Sequence, residues 1–222
     1  MTSTDLGRPA DPASALSTAL APGFENPVHD AQRTFRALLD AFGRPTTAVA
    51  LPCPVSAPVT LTRGAAALVL TLVGDSTPLW LDPFVDDPAV AAWVTFHTGA
   101  RFVADPSLAA FALVATPQAL PALDRFALGS DEAPHTSTTV VVMTARPSTG
   151  PLLGADGPGF PVPSIWHAPA LPRDFAAQWA RNTARFPRGV DLVLAGDETF
   201  VALPRTTRLT PVKVPDRRAE AA

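Results

Sequence analysis

Lysine and cysteine are almost absent from this 222-residue chain. Of its 17 basic residues only Lys213 is a lysine, so any recognition of anions falls to arginine, whose planar guanidinium suits phosphate and carboxylate groups. A P-loop is excluded, because it needs a lysine directly after its glycine-rich turn. Lys213 is also a poor candidate for the Schiff-base lysine of a pyridoxal phosphate (PLP) enzyme, because it lies near the C-terminus, between two valines.

Cys53 is the sole cysteine, which excludes an internal disulfide and fits a reducing compartment. The first 22 residues lack the basic segment and apolar run of a secretory signal, and no apolar run reaches the ~18 residues of a membrane span. The net charge of -3 argues against a surface for nucleic acid or an anionic membrane. We therefore expect a cytoplasmic protein that binds neither.

What the chain has in quantity is apolar residues, at 47%, with 17% charged residues. This composition is typical of a globular protein. The length fits one domain with a sizeable core. We expect a single domain over residues 23–209, with flexible tails at 1–22 and 210–222.

Helical spacing is clearest near the start of the chain. Apolar residues recur with helical periodicity as one stripe at Val28, Ala31, Phe35, Leu38, Leu39 and Phe42. Asp30 and Arg33 fall on other faces, and Gly43 and Pro45 end the helix.

The middle of the chain alternates between strands and helices. Residues 65–73 form a helix or a strand, with helix favoured, and 78–81 form a strand. Asp87 and Pro88 begin a helix that ends at Gly99. Strands are predicted at 111–115 and 138–144, separated by a helix over 117–128 that Gly129 closes.

The last third begins with a loop over residues 146–172, with a short strand near Leu152. A helix over 174–186 then buries Phe175, Trp179 and Phe186. Strands at 190–195 and 200–203 follow, joined by a turn. The whole order predicts an α/β fold, a three-layer sandwich around a mixed central sheet.

Motifs of catalysis are scarce. The four histidines are more than 30 residues apart, without zinc-site spacing, so no metal site is expected. No serine lies in a GxSxG nucleophile elbow. The densest donor set is Arg205, Thr206, Thr207 and Arg208, just after the last strand, which suits an anionic ligand, a protein interface or plain solvation. Asp75, in a turn, and His97, at the end of a helix, complete the candidate ligand-binding residues.

These landmarks resemble the PhnH family of the carbon–phosphorus lyase pathway. The resemblance covers residues 23–208 nearly throughout. It includes Pro27-Val28, Asp30-Ala31-Gln32, Phe35-Arg36, Leu70-Thr71-Leu72, Thr77-Pro78-Leu79-Trp80-Leu81, Phe96-His97-Thr98, Phe186-Pro187, Gly189-Val190-Asp191 and Pro204-Arg205-Thr206-Thr207. The turn Gly74-Asp75-Ser76 departs from the family pattern, which places acidic residues where Gly74 and Ser76 stand.

The resemblance implies a homodimeric subunit with a fold similar to the large domain of PLP-dependent transferases, but without PLP. Such a subunit works with PhnG, PhnI, PhnJ and PhnL in the nucleotide-dependent formation of ribose 1-phosphonate 5-triphosphate, which releases adenine. No catalytic residue is assigned to this chain. The alternative is a stand-alone enzyme or sensor that binds a phosphorylated small molecule through Arg205 and Arg208. PLP catalysis, the third hypothesis, predicts a yellow protein.

Overall fold

The computed structural model describes residues 22–144 and 150–212. Its α-helices are α1 (Pro27–Gly43), α2 (Arg63–Leu72), α3 (Pro88–Thr98) and α4 (Phe175–Thr183). Its strands are β1 (Val49–Ala50), β2 (Pro78–Leu81), β3 (Arg101–Phe102), β4 (Phe111–Val114), β5 (Thr139–Met143), β6 (Leu152–Asp156), β7 (Ser164–His167), β8 (Asp191–Ala195), β9 (Thr199–Leu203) and β10 (Arg208–Pro211). The expected tails fall mostly outside the described residues, but β10 extends to Pro211, past the expected end of the domain at residue 209.

Seven strands form a mixed central sheet in the order β1-β9-β8-β5-β4-β2-β3. The pairs from β3 through β8 are parallel, whereas β9 runs antiparallel to both β8 and β1. The expected α/β class with a mixed central sheet is confirmed. A second sheet has the order β10-β6-β7.

Both faces of the central sheet are buried. Successive side chains along its strands point alternately into two hydrophobic cores, one on each face. On β5, Val141 and Met143 join the core beneath α1, α2 and α3, while Val140 and Val142 join the core shared with α4 and the second sheet. A strand buried on both faces needs consecutive apolar residues, and β5 has them from Val140 to Met143. None of the helices in residues 22–144 and 150–212 is long and apolar enough to cross a bilayer.

Helix α3 begins and ends where its sequence predicts. The Asp87 carboxylate accepts a hydrogen bond of 2.7 Å from the N–H of Ala89, Pro88 takes the first helical position, and Gly99 ends the helix at φ +68°. Residues 65–73 belong largely to α2, which confirms the favoured helix.

The predicted helix over residues 117–128 is wrong. The segment holds two short 3-10 turns, Pro117–Ala119 and Leu123–Arg125. Pro121 lies between them, and it has no N–H to donate and disfavours helical geometry in the residue before it. Leu120 accordingly has a non-helical backbone, with ψ 116°.

The predicted loop over residues 146–172 is mostly wrong as well. Strands β6 and β7 form an antiparallel hairpin there, with Leu153 opposite Trp166, and β10 pairs with the other side of β6. Glycine and proline in this stretch mask the strand pattern. The strand near Leu152 is confirmed, while residues 145–149 lie outside the description.

The apolar stripe on α1 does not face the core as a unit, since Asp30, Thr34, Leu38 and Ala41 are buried while Val28, Phe35 and Leu39 are exposed. The predicted burial of Phe186 is wrong. Phe186 lies beyond the end of α4 and is 64% exposed. Phe175 and Trp179 are buried as predicted.

Candidate functional site

Arg205 follows β9 at the amino edge of the parallel strands, and its guanidinium is saturated by its own chain. Its Nε lies 3.2 Å from both carboxylate oxygens of Asp191, and its Nη2 contacts the same carboxylate and the Ser137 hydroxyl at 2.7 Å. Its Nη1 donates to the carbonyls of Pro134 at 3.1 Å and Pro187 at 3.2 Å. All five guanidinium N–H groups therefore have acceptors, which leaves none for a ligand.

These contacts give Arg205 a structural task. The side chain is 14% exposed, and its backbone N–H also donates to Asp191 at 2.7 Å. Asp191 begins β8, and Ser137 precedes β5. Arg205 therefore ties the ends of three neighbouring strands together at one edge of the sheet.

The other members of the predicted donor set diverge from Arg205. Thr207 is fully buried, and its carbonyl accepts a hydrogen bond of 2.8 Å from the indole N–H of Trp179. Arg208 lies in β10 and donates from Nε to Asp156 at 2.5 Å. Thr206 is half-buried beside a surface concavity. The four residues do not converge on one ligand position.

Asp75 and His97 lie at a different corner of the molecule, where Asp75 is close to Gly99, two residues after His97. Asp75 is exposed, and its Cβ lies 3.4 Å from where a Cβ at Gly99 would stand. His97 is half-buried, with its ring 4.9 Å from that of Trp93. This corner adjoins the start of β2, three strand spacings or about 14 Å from β8. The six predicted residues therefore form two separate groups.

Ligands of open α/β sheets usually bind at the carboxyl ends of the parallel strands, often on a helix N-terminus. Here the N-terminus of α2 occupies that edge, and the β8–β9 turn closes it. The N–H of Arg63 donates to the Asp197 carboxylate at 2.8 Å, and the N–H of Gly64 donates to the Gly196 carbonyl at 2.9 Å. Thr62 caps the helix by accepting from Ala65 at 3.3 Å. The donors that would hold a phosphate are bound to the protein itself.

This closure depends on a glycine. A Cβ at Gly64 would stand 2.4 Å from the Gly196 carbonyl oxygen, closer than any real contact. This contact was not predictable from sequence, because its two glycines are 132 positions apart and neither the helix start nor the turn indicates that they touch.

A second residue missed from sequence is Asp82, at the end of β2. It is buried, and its carboxylate accepts from the N–H groups of Phe84 at 2.9 Å and Ala115 at 3.3 Å. It therefore ties the carboxyl end of β2 to that of β4. Its position directly after a buried apolar strand could have identified Asp82 from the sequence.

Two concavities of about 800 and 540 Å³ adjoin this carboxyl edge and share Thr144, Pro169 and Asp197. Arg63 and Asp197 line the larger one as a half-exposed pair 4.0 Å apart. The described residues contain no group of three His, Cys, Asp or Glu side chains that could hold a metal ion.

Comparisons with known proteins agree on one family. The family described as "Bacterial phosphonate metabolism protein (PhnH)" matches residues 22–210. A protein of Rhizobium meliloti (strain 1021), named alpha-D-ribose 1-methylphosphonate 5-triphosphate synthase subunit PhnH, is 39% identical over 197 residues, covering 88% of this chain and 98% of the relative. The putative C-P lyase subunit protein HtxG of Stutzerimonas stutzeri is 32% identical over 178 residues, covering 80% and 85%.

Proposed function

Since this chain belongs to the PhnH family of bacterial phosphonate metabolism proteins, we propose that it is a subunit of an alpha-D-ribose 1-methylphosphonate 5-triphosphate synthase. The observation that carries this proposal is the near-complete match to the relative of that name, which leaves only 2% of the relative unmatched. The second relative is named as a subunit of a C-P lyase, which supports membership of an assembly.

Within that assembly, the chain contributes binding surfaces rather than catalytic side chains. Two features support this role. The guanidinium of Arg205 is saturated by internal acceptors. The N-terminal N–H groups of α2 are satisfied by the β8–β9 turn. Both obvious anion-binding positions are therefore occupied from within, which disfavours a stand-alone enzyme or sensor.

We also propose the binding partners, the oligomeric state and the cellular compartment of this chain. PhnG, PhnI, PhnJ and a PhnL-like protein are the expected partners, the isolated chain is a homodimer, and the assembly works in the cytoplasm. The fold is expected to be similar to the large domain of PLP-dependent transferases, as one domain without PLP. The single lysine, Lys213, supports the absence of a Schiff base.

The test is reconstitution of the synthase from purified subunits, with and without this chain, measuring adenine released from ATP in the presence of methylphosphonate. We expect release only when this chain is present. Full activity without it would overturn the proposal. Turnover by the chain alone would favour the independent enzyme, and absorbance in the visible range after purification would favour bound PLP.

A further inference from the structure

Helix α1 carries a second apolar face that the fold does not use. Val28, Phe35 and Leu39 are 78%, 45% and 56% exposed. Spacings of seven and four residues place them on one side of a helix. Gln32 and the half-buried Phe42 lie on the same line, but Phe42 also packs against the core, so the exposed apolar residues of the row are Val28, Phe35 and Leu39.

The face that holds α1 on the protein is a different one. Thr34, Leu38 and Ala41 are buried, and α1 packs through that side against α2 and β9. Removing the exposed side chains of Val28, Phe35 and Leu39 would expose no core. A row of exposed apolar residues that the core does not use is typical of an interaction site.

The row leads into a concavity of about 410 Å³ at the C-terminal end of α1. Its apolar lining consists of Phe42, the exposed Phe186 and three prolines, Pro134, Pro187 and Pro204, and the Arg205–Asp191 ion pair lines it as well. Rigid proline and aromatic walls suit an apolar side chain from another protein. The row and the concavity together are called the α1 face below.

One unpaired charge borders the α1 face. Arg36 is exposed, one helical step to the side of the row, and it has no ion pair among the described residues. Its neighbours Arg33 and Arg44 are paired with Asp30 and Asp40. The border therefore has one cation available to a partner.

We propose that the α1 face binds a different chain of the synthase, through a partner ridge of aliphatic or aromatic side chains with a carboxylate beside it. This inference rests on the proposed function. It adds the surface and the chemistry of the contact. The ridge fills the row and the concavity, and the carboxylate pairs with Arg36.

A second copy of this chain fits the face less well. Suppose that two copies of α1 pair antiparallel about a two-fold axis. The side of the helix that carries Arg36 then lies beside the same side of the other copy, so the two Arg36 side chains approach each other. In a parallel pair, Arg36 meets the flank of Ala31, which has no carboxylate. Neither arrangement gives Arg36 an acidic partner from α1, because Asp30 and Asp40 are already paired.

The test measures binding of this chain to immobilised, co-expressed PhnG, PhnI and PhnJ, alongside the mass of the isolated chain by light scattering. The variant Phe35→Ser with Leu39→Ser should bind at least about tenfold more weakly, with unchanged circular dichroism and mass. Val28→Ser, at the most exposed position, is the second variant should the double variant fail to fold. Leu108→Ser, equally apolar and exposed elsewhere, should bind like the wild type.

The charge is tested separately. Arg36→Glu should weaken binding by about tenfold and reduce its dependence on salt, whereas Arg36→Lys should retain most of the affinity. Arg101→Glu, on the edge strand β3 at the far side of the sheet, is the matched control.

The outcomes separate the two proposals. Wild-type binding that the α1-face variants leave unchanged would overturn this inference and leave the proposed function standing. A drop in the mass of the isolated chain would assign the face to a second copy, which also overturns it. Failure of the wild type to bind these subunits would reject the proposed function and this inference with it.

Discussion

Arg205 and Asp191 form a two-pronged ion pair that joins the end of β9 to the start of β8. The same carboxylate also accepts the backbone N–H of Arg205 at 2.7 Å. Arg205, which the sequence suggests as a ligand-binding residue, therefore links strands of the sheet. Its substitution should lower the stability of the protein more than it affects ligand binding.

Replacing Arg205 by alanine should lower the free energy of unfolding by about 3 kcal/mol, because a poorly exposed carboxylate loses its guanidinium partner and two carbonyls lose their donor. Urea denaturation followed by tryptophan fluorescence measures the change. Arg208→Ala is the control, since its exposed pair with Asp156 should contribute less than about 1 kcal/mol. Equal losses in the two variants would contradict the assignment.

Gly64→Ala should destabilise the protein by about 2 kcal/mol, since the new methyl group collides with the Gly196 carbonyl at 2.4 Å and pushes α2 away from the β8–β9 turn. The loss is measured by thermal and urea unfolding. Gly43→Ala places a methyl group where nothing lies within 4 Å, so its stability should equal or slightly exceed that of the wild type. If Gly64→Ala were as stable as the wild type, the N-terminus of α2 would not be tightly packed against the β8–β9 turn.

Asn182→Ala should cost about 3 kcal/mol. The buried amide donates to the Val190 carbonyl and accepts from the Val190 N–H, both at 2.9 Å, so alanine leaves two backbone groups unpaired in the interior. Equilibrium unfolding again reports the loss. Thr136→Ala removes an exposed hydrogen bond to Ala133 and should change stability by no more than about 0.5 kcal/mol.

Asp30 should make the stability depend on pH in the acid range. The backbone N–H of Asn26 lowers the pKa of its carboxyl, burial opposes that shift, and Arg33 lowers it further. A depressed folded pKa stabilises the protein above the unfolded value of about 3.9, and the contribution disappears as pH falls through the folded pKa.

Asp30→Asn should therefore flatten the fall in unfolding free energy below about pH 4, measured by urea titrations at several pH values. Arg33→Gln should flatten it less, because the Asn26 hydrogen bond, which has the larger effect on the pKa, remains. Identical slopes in the wild type and Asp30→Asn would remove Asp30 from the acid response.

Parts of the fold were predictable from local signals that start and end helices and strands. Helix α3 has a capping aspartate, a proline at its first position and a left-handed glycine at its end, and each acts within a few residues of chain. The strands β2, β5 and β8 were predictable for a similar reason, because continuous apolar runs bounded by turns leave few alternatives.

Contacts between distant segments were not predictable. Periodicity finds one apolar stripe on α1 but does not tell which part of the helix surface meets the core, since that depends on where β9 and α2 lie. Likewise, the residues around Arg205 suggest a ligand site until the carboxylate of Asp191 is placed beside it. The sequence shows which side chains can donate hydrogen bonds. Whether those donors already have acceptors within the protein depends on the tertiary structure.

The turn that carries Asp197 acts as a tethered competitor. A carboxylate held on a short turn beside the N-terminus of α2 has an effective concentration of about millimolar or above, whatever the composition of the surrounding solution. A free phosphorylated metabolite with the same intrinsic affinity for these N–H groups, present at lower concentration, is therefore outcompeted at this position. An anion of that affinity takes the place of Asp197 only when it is delivered at comparable local concentration, on a segment of a chain already docked to the protein.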